Sequence, residues 1–230
     1  MGDVEASNRY VRNKVKDCEE IGITAHVYKF DEDISMSELS FEIRELNAHY
    51  DAVMIQLPLP AHLDKDLLAQ FIDREKDVDG MRKDSYFKCC TPKGIMGYLK
   101  WRGVQIEGAS AVVIGRSDIV GKPMAQYLLE ENATVTICHS KTKDLKRYLR
   151  DADIIVCAVG RKRFLDCSEL NGVVVDVGIN FDENGKLVGD CYNTEGKDVT
   201  PVPGGVGLLT RCALLENLVE SKFVEVEIED

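Results

Sequence analysis

Three sets of residues in this chain carry the types and spacing that chemistry needs. The first is Ala111-Val112-Val113-Ile114-Gly115-Arg116-Ser117-Asp118-Ile119-Val120-Gly121-Lys122-Pro123. Four apolar residues run into a glycine, a polar turn, a second glycine and a proline. This is the punctuation of a strand, a turn and a helix. Glycines admit a phosphate to the backbone, and the helix N-terminus offers unpaired N–H groups and a favourable dipole. Pro123 suits the first helical turn, where its missing N–H costs nothing. The spacing excludes an NTP-hydrolysing P-loop. Five residues separate Gly115 from Gly121 where that loop has four, and Pro123 follows Lys122 where a Mg²⁺-binding hydroxyl belongs.

The second set ends the next strand, Ala133–Cys138, in His139-Ser140-Lys141-Thr142. NAD sites place an acidic residue here for the ribose 2′-hydroxyl. This chain has a hydroxyl and a cation instead, with Arg116 at the first turn. That set suits a 2′-phosphate and favours NADP over NAD. The third set lies earlier. Tyr10 and Lys14 share one face of a helix, Gln56 precedes Pro58 and Pro60, and Asp77 and Asp79 precede Gly80. Spacing alone reads these as an aromatic beside a solvated cation, a strand-end amide and turn residues.

The motif from Ile114 to Ala125 resembles the cofactor motif of the bifunctional methylenetetrahydrofolate dehydrogenase/methenyltetrahydrofolate cyclohydrolase family. Four further matches follow the family's order: Val53–Pro60, Lys76-Asp77-Val78-Asp79-Gly80, Cys90-Thr91-Pro92-Lys93-Gly94, and Val199–Gly207. Together they span nearly the whole chain. The resemblance implies NADP-dependent oxidation of 5,10-methylenetetrahydrofolate to the methenyl cation and hydrolysis of that cation to 10-formyltetrahydrofolate. It implies a place in one-carbon metabolism, tetrahydrofolate derivatives as substrates and a homodimer.

By the same resemblance Tyr10 packs against the folate and Lys14 is the catalytic cation. A desolvated Lys with a lowered pKa can relay a proton from the attacking water. Gln56 is expected to hydrogen-bond and orient it, with Leu57 beside the substrate. Asp79 is expected to accept paired N–H donors of the pterin, while Asp77 keeps a turn role. Pro203, Gly204 and Gly205 would bring backbone close to substrate. Gly115, Arg116, Ser117, His139, Ser140 and Ile179 are the expected cofactor contacts.

Composition sets limits. Of 230 residues, 44% are hydrophobic, and the net charge is −11. That charge argues against nucleic-acid and anionic-membrane partners. Residues 1–20 are polar, no apolar run is long enough to span a bilayer, and a cytoplasmic protein is expected. The eight cysteines contain no Cys-x-x-Cys and read as reduced thiols. The four histidines show no ligand spacing, and no metal site is expected.

The alternating β and α elements predict an α/β protein with a parallel sheet, and the resemblance implies two domains: an α/β catalytic domain over 1–91, a Rossmann-type domain over 92–206, and a segment 207–230 returning to the first. The ligand cleft is expected between them. Helices are expected over 5–21, 35–47, 65–72, 122–131, 143–150 and 208–219, and one from Thr91-Pro92 towards Trp101. Strands are expected over 23–30, 52–57, 111–114, 133–138, 153–157 and 173–177, the last four in a parallel sheet. Two departures from the family fall on the folate side. The chain opens with Met1-Gly2-Asp3 where the family has a preceding strand, and only Met81–Cys89 separate Asp79-Gly80 from Cys90. The alternating tail Phe223–Asp230 could pair at the vacated edge. These departures define the alternative reading, a homologue that binds NADP or a partner without efficient catalysis.

Overall fold

Helix signals in the first part of the chain give helices where the caps allow them. The computed structural model describes residues 5–223. The chain divides into two compact units, one running up to Cys90 and resumed from Leu214, the other Thr91–Ala213. In the first, α1 spans Glu5–Glu20, α2 Met36–His49 and α3 Lys65–Ala69. Ser35 begins α2 with a reciprocal cap: the Glu38 N–H donates to Ser35 Oγ at 3.2 Å, and the Ser35 N–H donates to Glu38 Oε2 at 3.0 Å. Leu39 and Ile43 of α2 bury against Val53, Ile55, Leu63, Leu68 and Ile72.

Two expected strands of this unit are not strands. Ile23–Phe30 forms no regular element and joins no ladder, and Ala52–Leu57 makes a single parallel bridge, Val53 to Asp77. Alternation makes a segment extended, but a strand also needs a second backbone for its N–H and C=O groups. No described strand lies beside Ile23–Phe30, and Val27 and Tyr28 remain about half exposed. Of the tail expected to pair, Phe223–Asp230, all but Phe223 lies outside the described residues, as does the opening Met1–Val4.

α4 (Cys90–Trp101) leads into the second unit. There follow β1 (Ser110–Ile114), α5 (Gly121–Glu130), β2 (Thr134–Cys138), α6 (Leu145–Leu149), β3 (Ile154–Cys157), β4 (Leu165–Asp166), β5 (Val173–Asp176), β6 (Asn180–Phe181), β7 (Leu187–Val188), β8 (Cys191–Tyr192) and α7 (Val206–Glu220). Four strands form a parallel sheet in the order β2-β1-β3-β5. Successive residues point to opposite faces. Ala111, Val113, Ile154 and Val156 bury in one core with Leu99, Met124 and Leu128, while Val112, Ile114, Ile155 and Cys157 bury in another with Leu149 and Leu170. A sheet covered on both faces is why its strands read as unbroken apolar runs.

The register aligns the strand ends. Ile114 pairs with Cys138 and with Cys157, and Cys157 pairs with Asp176. Gly115, Ala158 and Val177 therefore leave the sheet side by side along its carboxyl edge, where ligands of such sheets bind. A turn at Asp182–Gly185 joins β6 to β7, with Asp182 Oδ1 accepting from the Asn184 and Lys186 N–H groups. The division between units falls at Ala213/Leu214, inside α7, rather than at 206/207. Val206 and Leu209 belong to the core of the second unit, whereas Asn217 donates to the Val78 and Lys88 carbonyls of the first at 2.7 and 3.1 Å. All eight cysteines are free thiols.

Candidate active site

The first unit places Lys14 among apolar side chains. Helical spacing puts it one turn after Tyr10, and its ammonium lies 4.9 Å from the Tyr10 ring centroid, a cation–π contact. Lys14 Nζ is 3.7 Å from Met54 Sδ. Burial lowers the Lys14 pKa from its usual 10.5, and the negative charge of Asp79 pulls it partly back. A cavity of about 530 Å³ is lined by Lys14, Met54 and Gln56 together with apolar residues such as Val11 and Leu218. Tyr10, Leu57 and Asp79 do not line it.

Gln56 does not make the expected bond to Lys14. Its amide donates to the neighbouring Leu57 carbonyl at 2.7 Å, and Oε1 is buried with no partner among the described residues. A soft thioether takes the place beside the ammonium that an amide oxygen was expected to hold. The Cys90 thiol donates to the Val78 carbonyl at 3.3 Å, and burial, then the Asp79 charge, pushes that thiol well above its usual range. Sequence reasoning did not single out Met54 or Cys90. Neither has a spacing signature, since each reaches the site through the folded chain.

Asp77 takes the turn role expected of it. It is fully buried, and its carboxylate accepts from the Met81 and Arg82 N–H groups at 3.2 and 2.8 Å. Burial outweighs those donors and pushes its pKa from 3.8 to about 6. A raised folded-state value means the protonated form is favoured by folding. The stabilisation is complete below pH 3.8 and is lost as pH rises through about 6. The loss is on the order of 3 kcal/mol at most. In denaturant titrations across that window, Asp77→Asn is expected to flatten the decline in stability with rising pH. An unchanged slope would show that another group causes it.

In the second unit the loop after β1 folds tightly on itself. Gly115 has φ +129°, and a Cβ there would lie 2.3 Å from the Ala158 carbonyl oxygen. A Cβ on Gly121 would lie 2.5 Å from the Gly115 oxygen. Ser117 closes the loop by accepting from the Gly121 N–H at 3.3 Å. Lys122 is tied to Asp118 at 2.6 Å. Arg116 is exposed and pairs with no carboxylate among the described residues. At the end of β2 the His139 N–H donates to Thr142 Oγ1 at 2.8 Å, and the Lys141 N–H donates to His139 Nδ1 at 3.2 Å. That turn leaves Ser140 and Lys141 exposed and holds no carboxylate. A small-residue loop, a helix N-terminus and unpaired cations fit a dinucleotide carrying a 2′-phosphate. Ile179, after β5, is 63% exposed. Pro203, Gly204 and Gly205 also belong to this unit, in the turn that starts α7, with Gly204 at φ +95°.

Sequence reasoning missed the polar centre of this unit. Asp190 and Asp176 are buried carboxylates at the carboxyl edge. Asp176 Oδ1 accepts from the Gly178 and Asp190 N–H groups and Oδ2 from the Cys191 N–H, each at 2.9 Å. The available signal was Gly178 and Gly189. A Cβ on the first would lie 2.3 Å from the Asp190 nitrogen, and one on the second 1.9 Å from Asp176 Oδ2.

Two family models match the chain: the tetrahydrofolate dehydrogenase/cyclohydrolase catalytic domain over residues 1–79, and the NAD(P)-binding domain of the same family over residues 89–225. The bifunctional protein FolD of Lysinibacillus sphaericus is 45% identical, over 96% of this chain and 84% of that protein. That of Burkholderia multivorans is 47% identical over the same shares. The crystal structure of the FolD methylenetetrahydrofolate dehydrogenase/cyclohydrolase from Campylobacter jejuni superposes with a TM-score of 0.89 at 45% identity, covering 96% of this chain and 84% of that one. The Trypanosoma brucei FolD, solved with NADP cofactor and inhibitor, gives 0.89 at 32% identity, covering 96% and 83%. Both matched domains, the parallel sheet with its tight β1 loop and these identities agree, and the chain belongs to the bifunctional tetrahydrofolate dehydrogenase/cyclohydrolase family.

Proposed function

We propose that this chain is an NADP-dependent methylenetetrahydrofolate dehydrogenase and methenyltetrahydrofolate cyclohydrolase. One observation carries the reading beyond family membership: the chain keeps a half-buried Lys14 with a lowered pKa, under the influence of the Asp79 charge, as well as a tight dinucleotide loop with an exposed Arg116. Bound NADP supplies the hydride acceptor. The chain's own groups do the rest. Asp79 accepts the paired N–H donors of the pterin, and Tyr10 packs on the folate ring. Lys14 takes a proton from the water that attacks the methenyl carbon and returns it as the ring opens. Gln56 and Leu57 line the substrate, with Pro203, Gly204 and Gly205 bringing backbone to it. Gly115, Ser117, His139, Ser140 and Ile179 bound the cofactor, and Arg116 pairs with its 2′-phosphate.

Assays of the purified chain for NADP reduction on methylenetetrahydrofolate, and for methenyltetrahydrofolate hydrolysis above the spontaneous rate, test the reading directly. Absence of both would leave a binding protein without catalysis. Asp79→Ala is expected to raise the folate Kd by about tenfold or more through loss of a charge-assisted pair. The NADP Kd should stay in place, and an unchanged folate Kd would remove Asp79 from the site. Arg116→Ala is expected to weaken NADP by on the order of 1–3 kcal/mol and NAD far less. Equal losses for the two nucleotides would assign the 2′-phosphate to other residues.

No helix among the described residues is long and apolar enough to cross a membrane. We also propose a cytoplasmic homodimer, on the resemblance to the family. Sedimentation velocity tests the assembly, and a monomer at micromolar concentration would refute it.

A further inference from the structure

The carboxylate of Asp190 sits where the loops after two neighbouring strands meet. It is fully buried. Oδ2 accepts from the Val159 and Gly160 N–H groups at 2.8 and 2.9 Å, and Oδ1 accepts from the Arg161 N–H at 2.7 Å and from Asn180 Nδ2 at 2.9 Å. The first three donors are consecutive and belong to the loop that leaves β3. The fourth belongs to the residue after Ile179, on the segment that leaves β5. The Asp190 carbonyl also accepts from Phe164 and Leu165 at 2.6 and 3.0 Å, closing the β3 loop from its far end. The loop anchored in this way packs directly on the phosphate-loop glycine, since the Ala158 oxygen is the atom a Cβ on Gly115 would strike.

Topology says which half of the dinucleotide this region serves. In a parallel sheet of this kind the pyrophosphate lies at the turn after β1, and the adenosine ribose lies at the end of the next strand in sequence. Here that strand is β2, on one side of β1, with Ser140 and Lys141 at its end. The other half of the nucleotide must extend to the opposite side, over β3 and β5. We propose that Asp190 is a positioning residue for the nicotinamide half of NADP: one buried carboxylate gathers the β3 loop and the β5 segment and fixes the floor on which that half rests. This deepens the cofactor reading above and rests on it. A carboxylate can satisfy four donors at once, whereas an amide cannot. Asp190→Asn keeps the shape but turns an NH₂ group towards at least one backbone N–H, so the loop loses its tie without losing side-chain volume.

The test compares two ligands on the full-length chain by calorimetric titration. NADP spans both halves of the site, whereas adenosine 2′,5′-bisphosphate occupies only the adenosine half. Asp190→Asn is expected to raise the NADP Kd about tenfold and to leave the bisphosphate Kd unchanged. Equal weakening of both ligands, or of neither, would overturn the proposal. Thr200→Val is the control. Thr200 is buried and accepts from the Asp176 N–H at 2.8 Å, so the substitution removes a polar contact from the same layer without touching either loop. It is expected to lower Tm and leave the two ligands in their wild-type ratio. Separation of the ligands by Thr200→Val as well would make the effect general to the unit and end the proposal.

If Asp190→Asn does not fold, the unmodified chain still decides. The Val159, Gly160 and Arg161 amides lie outside every sheet ladder, so their protection from hydrogen exchange in the ligand-free protein measures the clamp. Slow exchange at all three is expected, and fast exchange would overturn the proposal. Failure of the wild-type chain to bind either ligand would instead overturn the cofactor reading itself.

Discussion

Lys14→Met is expected to abolish methenyltetrahydrofolate hydrolysis above the spontaneous rate. Ring opening needs a group that takes a proton from water and gives it back, and an ammonium of ordinary pKa is a poor base near neutrality. Burial lowers the Lys14 value, while Asp79 keeps it from falling further. The cyclohydrolase rate should therefore rise with pH as Lys14 loses its proton, and the rise should vanish in Lys14→Met. Met keeps the apolar stem and contacts the same cavity wall, but it cannot titrate. Lys14→Arg separates proton transfer from simple charge stabilisation. Arg keeps the charge and does not deprotonate, so it should be as inactive as Met. An active Arg variant would make Lys14 an electrostatic group and not a relay. Folding should change little in Lys14→Met, because loss of the Tyr10 contact is offset by removal of a desolvated charge. Hydride transfer depends more on positioning than on this proton, so dehydrogenase turnover should persist in part. A wild-type chain that hydrolyses no faster than Lys14→Met would support the reading of a non-catalytic homologue.

What the sequence made legible follows from how local each cause is. The β1 strand, its loop and α5 were readable because apolar run, glycine, glycine and proline lie within one short segment, and each acts on its own backbone. The Ser35 cap and the Asp182 turn are equally local, since each bonds backbone N–H groups within four residues. The alternation of Ile23–Phe30 was legible, but its lack of a ladder was not, because pairing depends on a second segment. The partner of Gln56 was missed because a side-chain amide at a strand end can bond its own neighbour as readily as a distant cation. Asp190 was invisible for a stronger reason. Its donors come from Val159 to Arg161 and from Asn180, and the adjacent Gly189 is the one local mark that it is more than a turn aspartate. Buried polar hubs are written in long-range contacts, and only the flanking glycines betray them locally.

Gly115→Ala is expected to remove NADP binding at concentrations that saturate the wild type, and with it the dehydrogenase activity. Two costs add at this position. A φ of +129° is strained for any residue with a Cβ, on the order of 1–3 kcal/mol. The new methyl would also lie 2.3 Å from the Ala158 carbonyl oxygen, so either the β1 loop or the β3 loop must move. Both are backbone at the carboxyl edge, and neither can yield by a side-chain rotation. A shift of either one displaces the N–H groups and cations that hold phosphate, which turns a packing fault into a binding fault. Gly108→Ala supplies the comparison. Its φ is +77°, but nothing lies within 4 Å of the added Cβ. It should cost about 1 kcal/mol of stability through backbone strain alone and leave NADP affinity intact. Thermal melts and NADP titrations of the two variants separate strain from contact. If Gly115→Ala binds NADP as tightly as Gly108→Ala does, the close approach at Ala158 does not shape the phosphate loop, and the cofactor must be held by a different part of the unit.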